Sequence, residues 1–505
     1  MTEDESPVAK GSVALLASFV AIAALNYAFA VTMSWLLPIE RYGAVGVGQA
    51  VLLTGATIGA AGFPWALARA IAQARSPETQ ARAFRAALLG NGLLGLGLMV
   101  VVAGVALSGR VEPAAIYTPI LMMASVVIGI LALNAVLSGA LQGLLLLREL
   151  ALVRLTEVVV KSFAGLFLVM AGLGVVGAMG GFVGGAVVAT TLAAIMLRKF
   201  PMRLTDGWTD RSVFTAAGPL FVAMVGFALL SQLDILTLKA FTADPSSDFL
   251  AGQYQVAVTM GRIPYFAGLA VFGAIFPHIS RAADATGESR AYASLGLKYS
   301  LLFIVPVGIV LAVVPDAVIR LFFSSRYDRS AESLAVVAIA SVLLCIGYGF
   351  ATLLQARGHQ WLPAAVLTLA VPTQIIVASQ VVPTLGMTGA AAAFGVAAAV
   401  VLALLAPMVT SSFQLRVSIS QGVRYGTALA VLATTLLLLP HGDRLSTIGS
   451  LAAAAVVYLI ALVVLQLVTR LDIETLGGAF GSRGLRVRGR IADIVDRAQM
   501  RSGGA

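Results

Sequence analysis

The sequence predicts an all-α polytopic membrane protein with 14 transmembrane helices: two parallel six-helix lobes around a central cavity, plus two extra C-terminal helices. Three observations predict it. First, 59% of the 505 residues are hydrophobic and 11% are charged, where a soluble protein carries about 25% charge. So much apolar surface requires lipid as part of the solvent. Second, fourteen apolar runs are long enough to cross a bilayer. Third, the chain repeats itself. "LGVVGAMGGF" (173–182) and "LGMTGAAAAF" (385–394) both read L-G-x-x-G-A-x-x-x-F, 212 residues apart.

About 20 apolar residues cross a core of about 30 Å. The runs are 12–37, 43–72, 83–107, 114–140, 148–172, 176–197, 212–241, 249–277, 292–314, 331–356, 361–382, 386–409, 420–440 and 446–469. The mixed segment 315–329 is too short to span and reads as an interfacial helix or loop. The two motif copies fall in the turns after the fifth and the eleventh runs. Leu, Gly and Ala are common here, yet five shared residues at matching positions favour a repeated unit over coincidence. The reading is therefore an N-tail (1–11), an N-lobe (12–197), a linker (198–211), a C-lobe (212–409), two extra spans (420–469) and a basic tail (470–505). Six is even, so the repeats are parallel, and rocking would open a cavity between them to either face.

Thirty-three basic residues oppose 23 acidic ones, a net +10. In a soluble protein this would suggest nucleic acid. Here the excess sits in short loops and the tail, where it sets orientation and touches anionic headgroups. Arg69, Arg82, Arg85, the Arg198–Arg211 cluster and the tail outweigh Arg41, Arg110, Lys239, Arg320, Arg326 and Arg329 on the other side. That asymmetry predicts a multi-pass cell (plasma or inner) membrane protein with both termini in the cytoplasm. The tail can form an amphipathic helix over 482–502 on the inner leaflet. The first run reads as a permanent helix, not a signal peptide. One cysteine, Cys345, and scattered His278, His359 and His441 offer no metal cluster. No catalytic constellation or glycine-rich phosphate loop appears, so the expectation is neither an enzyme nor an ATP-driven machine, with no cofactor and no metal.

Residues 36–72, "LLPIERYGAVGVGQAVLLTGATIGAAGFPWALARAIA", are similar to the outer turn and second helix of polysaccharide flippases, members of the multidrug/oligosaccharidyl-lipid/polysaccharide exporter superfamily. "SQLDILTLKAF" with the following "AGQYQVAVTMGRIPYFAGLAVFGAIFPHISRA" resembles their seventh and eighth helices; "ATLLQARGHQW" with "PTLGMTGAAAAFGVA" resembles their tenth to twelfth. The likeness covers about 12–409. It implies a V-shaped transporter that moves a saccharide on a polyprenyl-phosphate-type carrier from the inner to the outer leaflet, for surface polysaccharide or cell-wall synthesis. Fourteen helices is also the count of the related lipid II flippases. The expected state is a monomer bound by membrane lipids, with glycan-assembly proteins as candidate contacts.

A charge at bilayer depth costs about 2.5–3.5 kcal/mol or more, so each needs a partner, a cavity or a function. Arg262 lies near mid-depth in the eighth run, before Pro264. It reads as a cavity cation for phosphate oxygens, or as half of a structural pair across the lobes; some lipid II flippases carry a basic residue on this helix. Arg154, Glu157 and Lys161 share one face of the fifth run. They form either a cavity wall or a self-neutralised stripe, Glu157 against Lys161. Asp234, where the resemblance places an acidic residue, is a candidate proton or cation site, with Gln374 beside Pro372 as its helper; the other reading is a paired helix contact. Asn26, Gln49, Gln253 and Gln255 are candidate saccharide ligands. Coupling to protons, sodium or the membrane potential stays open. The alternative function is a multidrug/cation antiporter of the same superfamily, which wants unpaired carboxylates in its cavity.

Overall fold

The computed structural model of the protein describes residues 7–74, 76–198, 211–242, 246–266, 268, 286–415 and 418–468. Most of the expected linker, the end of the 249–277 run, His278 and the amphipathic tail lie outside the described residues.

The N-terminal half builds α1 (Pro7–Leu36), α2 (Ile39–Ala60), α3 (Phe63–Gln73), α4 (Pro77–Leu107), α5 (Ala114–Gly143), α6 (Leu147–Leu168) and α7 (Gly174–Leu197). The second half adds α8 (Arg211–Leu230), α9 (Leu233–Phe241), α10 (Ser247–Gly261), α11 (Thr286–Tyr299), α12 (Val305–Val313), α13 (Pro315–Phe322), α14 (Ala331–Ala356) and α15 (Trp361–Ser412). Two more helices follow, α16 (Ile419–Leu438) and α17 (Arg444–Val464). The face holding the α1–α2, α4–α5 and α9–α10 turns is termed distal, and the opposite face proximal.

Nine stretches among the described residues are long and apolar enough to cross a membrane, ten with the bent pair α8–α9. Two of them run 51 and 52 residues (147–197 and 361–412). Straight, each would reach roughly 75 Å, more than twice the bilayer core, so each is a pair of spans folded at a glycine. With these divided, and with α10 and α16 included, the architecture is consistent with the fourteen-span reading. The segment 315–329 forms α13 and a 3-10 turn, Ser325–Ser330, as its mixed composition suggests.

The repeated motif explains both folds. Gly174 has φ 50° and ψ −131°; Gly386 has φ 54° and ψ −125°. Only glycine takes this conformation without strain. Three residues on, a Cβ at Gly177 would lie 2.8 Å from the carbonyl carbon of Leu168, and one at Gly389 would lie 2.6 Å from the oxygen of Val381. The second glycine thus lets each pair of helices touch backbone to backbone. Ala178, Ala390, Phe182 and Phe394 are buried, while Leu173 and Leu385 are exposed.

Three spans are broken by design. Gly62, at φ 70°, separates α2 from α3. The Asn91 amide donates to the carbonyls of Gly59 (2.9 Å) and Ala132 (2.7 Å), satisfying backbone near that break. The α8–α9 pair bends by 51° around Ser231–Gln232, and α10 ends at Gly261.

Packing divides the molecule by depth. Near the distal face one hydrophobic cluster joins both lobes, running from Phe29, Met33 and Tyr42 to Tyr254, Phe323 and Tyr327. Toward the proximal face each lobe keeps its own cluster, around Leu67 and Leu141 in one and Phe350 and Phe394 in the other. Helices α16 and α17 pack together on a π-turn, Ser300–Ile304. Tyr425 donates to the carbonyl of Leu301, and Tyr458 to that of Leu302 at 3.1 Å. Asp443 caps α17, and its bonds to the Ser446 hydroxyl and backbone N–H hold its carboxyl below the ordinary range.

Candidate functional site

The broken helices set the charges. Asp234 lies in the first turn of α9, and Arg262 is the C-cap of α10. Each sits at the helix end whose dipole suits its charge. One Arg262 Nη donates to both oxygens of Asp234, at 2.7 and 2.9 Å, and the other to Gln232 Oε1 at 3.0 Å. The Tyr254 hydroxyl donates to the second Asp234 oxygen at 3.0 Å. Asp234 is fully buried and Arg262 nearly so, with Nε lacking a partner. Arg262 is thus neither a lipid-facing nor an unpaired cation. Its pair lies within one lobe, between α9 and α10, and not across the lobes. Gln374 is fully buried on α15, the helix packed against α9, and neither of its amide atoms has a hydrogen-bond partner.

A second buried cation occupies the other lobe. Lys161 on α6 donates to Asn26 Oδ1 on α1. Its ammonium also lies over the rings of Phe182 (5.0 Å) and Phe29 (5.4 Å), which attract it through their π faces. Among the described residues no ion pair within 4.0 Å joins Glu157 to Lys161; the two charges attract along the shared helix face, and the amide and aromatic cradle makes the direct contacts with the ammonium. Arg154 sits over Phe19 at 5.5 Å. The repeat offset of 212 residues carries Lys161 to the neighbour of Gln374, so the two buried polar positions occupy equivalent helices.

The remaining candidates scatter. Gln253 donates to the carbonyl of Arg326 at 2.7 Å. Gln255 lies against Gly46 of α2, where an added Cβ would come within 2.5 Å of its Oε1. Gln49 is half-buried on α2, three residues from Gly46. Among the described residues no group of three His, Cys, Asp or Glu is placed to hold a metal.

The sequence did not flag a polar latch that joins the lobes at the distal face. The buried Tyr117 hydroxyl on α5 donates to Asp248 Oδ1 on α10 at 2.6 Å. Lys239 of α9 reaches the same oxygen at 2.5 Å and lies 4.7 Å from the Tyr117 ring centroid. Nearby, Arg326 donates to the carbonyls of Ser34 and Leu37, Tyr327 to Ser34 (3.1 Å) and Trp35 to Phe322 (3.0 Å). Gly43 and Gly252 let α2 and α10 approach until a Cβ on either would collide with the other's backbone. In the sequence Lys239 and Arg326 count only toward topology, because Tyr117, Ser34 and Leu37 lie far from them along the chain.

Two helical lobes, broken spans at their junction and charges held at the breaks define a polytopic membrane protein with a transporter fold. The chain belongs to the polysaccharide biosynthesis protein family, whose pattern it matches over residues 8–283. It is 22% identical over 213 residues to a probable low-salt glycan biosynthesis flippase, Agl15, of Haloferax volcanii; the match covers 42% of this chain and 44% of that protein. The chain spans less than half the length of the curated relatives it matches, 36% and 44%. Its fold is similar to lipid II flippase MurJ in an inward closed conformation, with TM-score 0.71 and 15% identity over 89% of this chain and 97% of that one. It is also similar to an inward-facing multidrug resistance MATE family transporter of the MOP superfamily, with TM-score 0.63 and 16% identity over 80% and 99% of the two chains. Agl15 and the two solved structures are flippases and transporters, not enzymes. The family resemblance and the fold class read from the sequence both hold.

Proposed function

We propose that this chain moves a lipid-linked saccharide on a polyprenyl-phosphate-type carrier from the inner to the outer leaflet by alternating access. Its termini are cytoplasmic, and the distal face is the outer one. The carrying observation is the Arg262–Asp234 pair, buried where broken helices meet. Asp248 and Arg262 are fourteen residues apart along the sequence, roughly 20 Å by helix rise, which supports a guanidinium deep below the distal face. A phosphate competes with Asp234 for this fork, because both present paired oxygens. Substrate binding then frees Asp234, with Gln374 on the adjoining helix, to take a proton or cation. Lys161 and Asn26 provide a second polar foothold, with Glu157 and Arg154 on the same helix; Gln49, Gln253 and Gln255 lie toward the closed outer end. A negative-inside potential of 100 mV favours outward movement of an anion by about 2.3 kcal/mol per charge.

The antiporter reading is weaker, since a cation entering at Asp234 must displace a guanidinium already bound there. The test is export of the lipid-linked saccharide from vesicles holding the full chain. Arg262→Ala and the double variant Asp234→Ala/Arg262→Ala, which leaves no orphan charge, should both insert and both lose export. Normal export by a folded double variant overturns the reading, and proton-driven dye efflux by the wild type would revive the antiporter.

A further inference from the structure

We infer that the protein has a lateral outer-leaflet exit site for its lipid product, in a groove between the lobes that is separate from the Arg262 centre; this rests on the flippase reading. The groove has a volume of about 900 Å³, near the upper end of the roughly 300–1,000 Å³ typical of ligand cavities. Its wall is branched aliphatic, with Val47 and Val51 from α2 and Val101 and Val105 from α4. Leu236 of α9 closes the opposite side. Val101 and Val105 are 64% and 46% exposed, so the wall opens sideways to hydrocarbon and not only upward to water.

The rim has the opposite chemistry. It carries Arg110 and Glu112 from the α4–α5 turn, and Lys239, Ser247 and Asp248 from around the α9–α10 turn. Arg110 is exposed and has no ion pair among the described residues. Its guanidinium can fork onto a phosphate. The mixture of donors and carboxylate acceptors around it suits saccharide hydroxyls. An apolar trough below such a rim, at the distal end of the helices, fits one amphipathic molecule: a branched isoprenoid chain against the valines, its phosphate and sugar at the rim.

Placement selects the product over a bystander lipid. Both lobes build the groove, and its rim includes the Lys239–Asp248 bridge that Tyr117 latches across the lobes. Parting the lobes at this face breaks the rim and joins the groove to the space between the lobes. A carrier leaving sideways therefore never has to draw its chain through water.

The test places a photoreactive residue at Val101 or Val105, and at exposed Val187 of α7, outside the groove, as a control, in the full chain in vesicles. The probes are a tritiated long-chain polyprenyl phosphate and tritiated phosphatidylglycerol. The expected result is polyprenyl labelling at 101 and 105 at least fivefold above 187, removed by unlabelled polyprenyl phosphate but not by phosphatidylglycerol. A folded Val105→Trp variant should slow export at least fivefold. Equal labelling by both probes makes the groove an annular-lipid crevice and overturns the inference. Absent labelling with normal wild-type export also removes the groove and leaves the flippase reading intact. Selective labelling without any wild-type export keeps a polyprenyl-phosphate site and sinks the flippase reading instead.

Discussion

Replacing Tyr117 by phenylalanine should loosen the distal closure without unfolding the protein. The change removes one hydroxyl, the donor to Asp248 at 2.6 Å, and leaves the buried ring in place. A hydrogen bond to a charged group contributes about 1.5–3 kcal/mol. Asp248 keeps Lys239 at 2.5 Å, so the lower end applies. About 1.5 kcal/mol is roughly a tenfold shift in the ratio of closed to open forms. If about 1% of molecules are open at this face, the variant brings that to about 10%. Spin labels at Arg41→Cys and Ser325→Cys, on opposite lobes, report the distance by electron–electron dipolar spectroscopy. The single native cysteine, Cys345, is buried. A longer-distance population should appear in Tyr117→Phe and grow further with Lys239→Met. An unchanged distribution in both folded variants would refute the idea that this triad holds the lobes together.

Three further outcomes are expected. Asp234→Ala and Arg262→Ala should each cost about 3–5 kcal/mol by stranding a buried charge, whereas the double variant costs less than the sum of the two; additive losses in denaturant unfolding would show that the two groups do not interact. Lys161→Met removes a buried cation whose burial costs about 2.5 kcal/mol or more, so the melting temperature should hold or rise while export falls; a lower melting temperature with normal export would make Lys161 purely structural. Gly174→Ala and Gly386→Ala should cost similar amounts, about 1–3 kcal/mol each, while Gly426→Ala, in open space within α16, should be neutral or stabilising; a large difference between the first two would argue against equivalent turns.

The sequence by itself determined the solvent, the spans and the duplication. Hydropathy is a sum over neighbours in the chain, so fourteen apolar runs are visible without a fold. The L-G-x-x-G-A-x-x-x-F motif was legible for the same reason: a tight turn and a close helix crossing are local demands that only glycine meets. Charges at depth could be named as costly, and Arg262, Asp234 and Lys161 were.

What each of them touches was decided by the tertiary structure alone. Arg262 and Asp234 are 28 residues apart in sequence, and Lys161 and Asn26 are 135 apart. No periodicity links such positions, and the four-residue spacing of Glu157 and Lys161 does not disclose the amide and ring that α1 offers Lys161 or the second ring from α7. The distal latch and the valine groove were wholly hidden, since each is shared between lobes. Burial cost is a property of one residue in its segment, whereas relief of that cost depends on which distant segment folding brings within three ångströms.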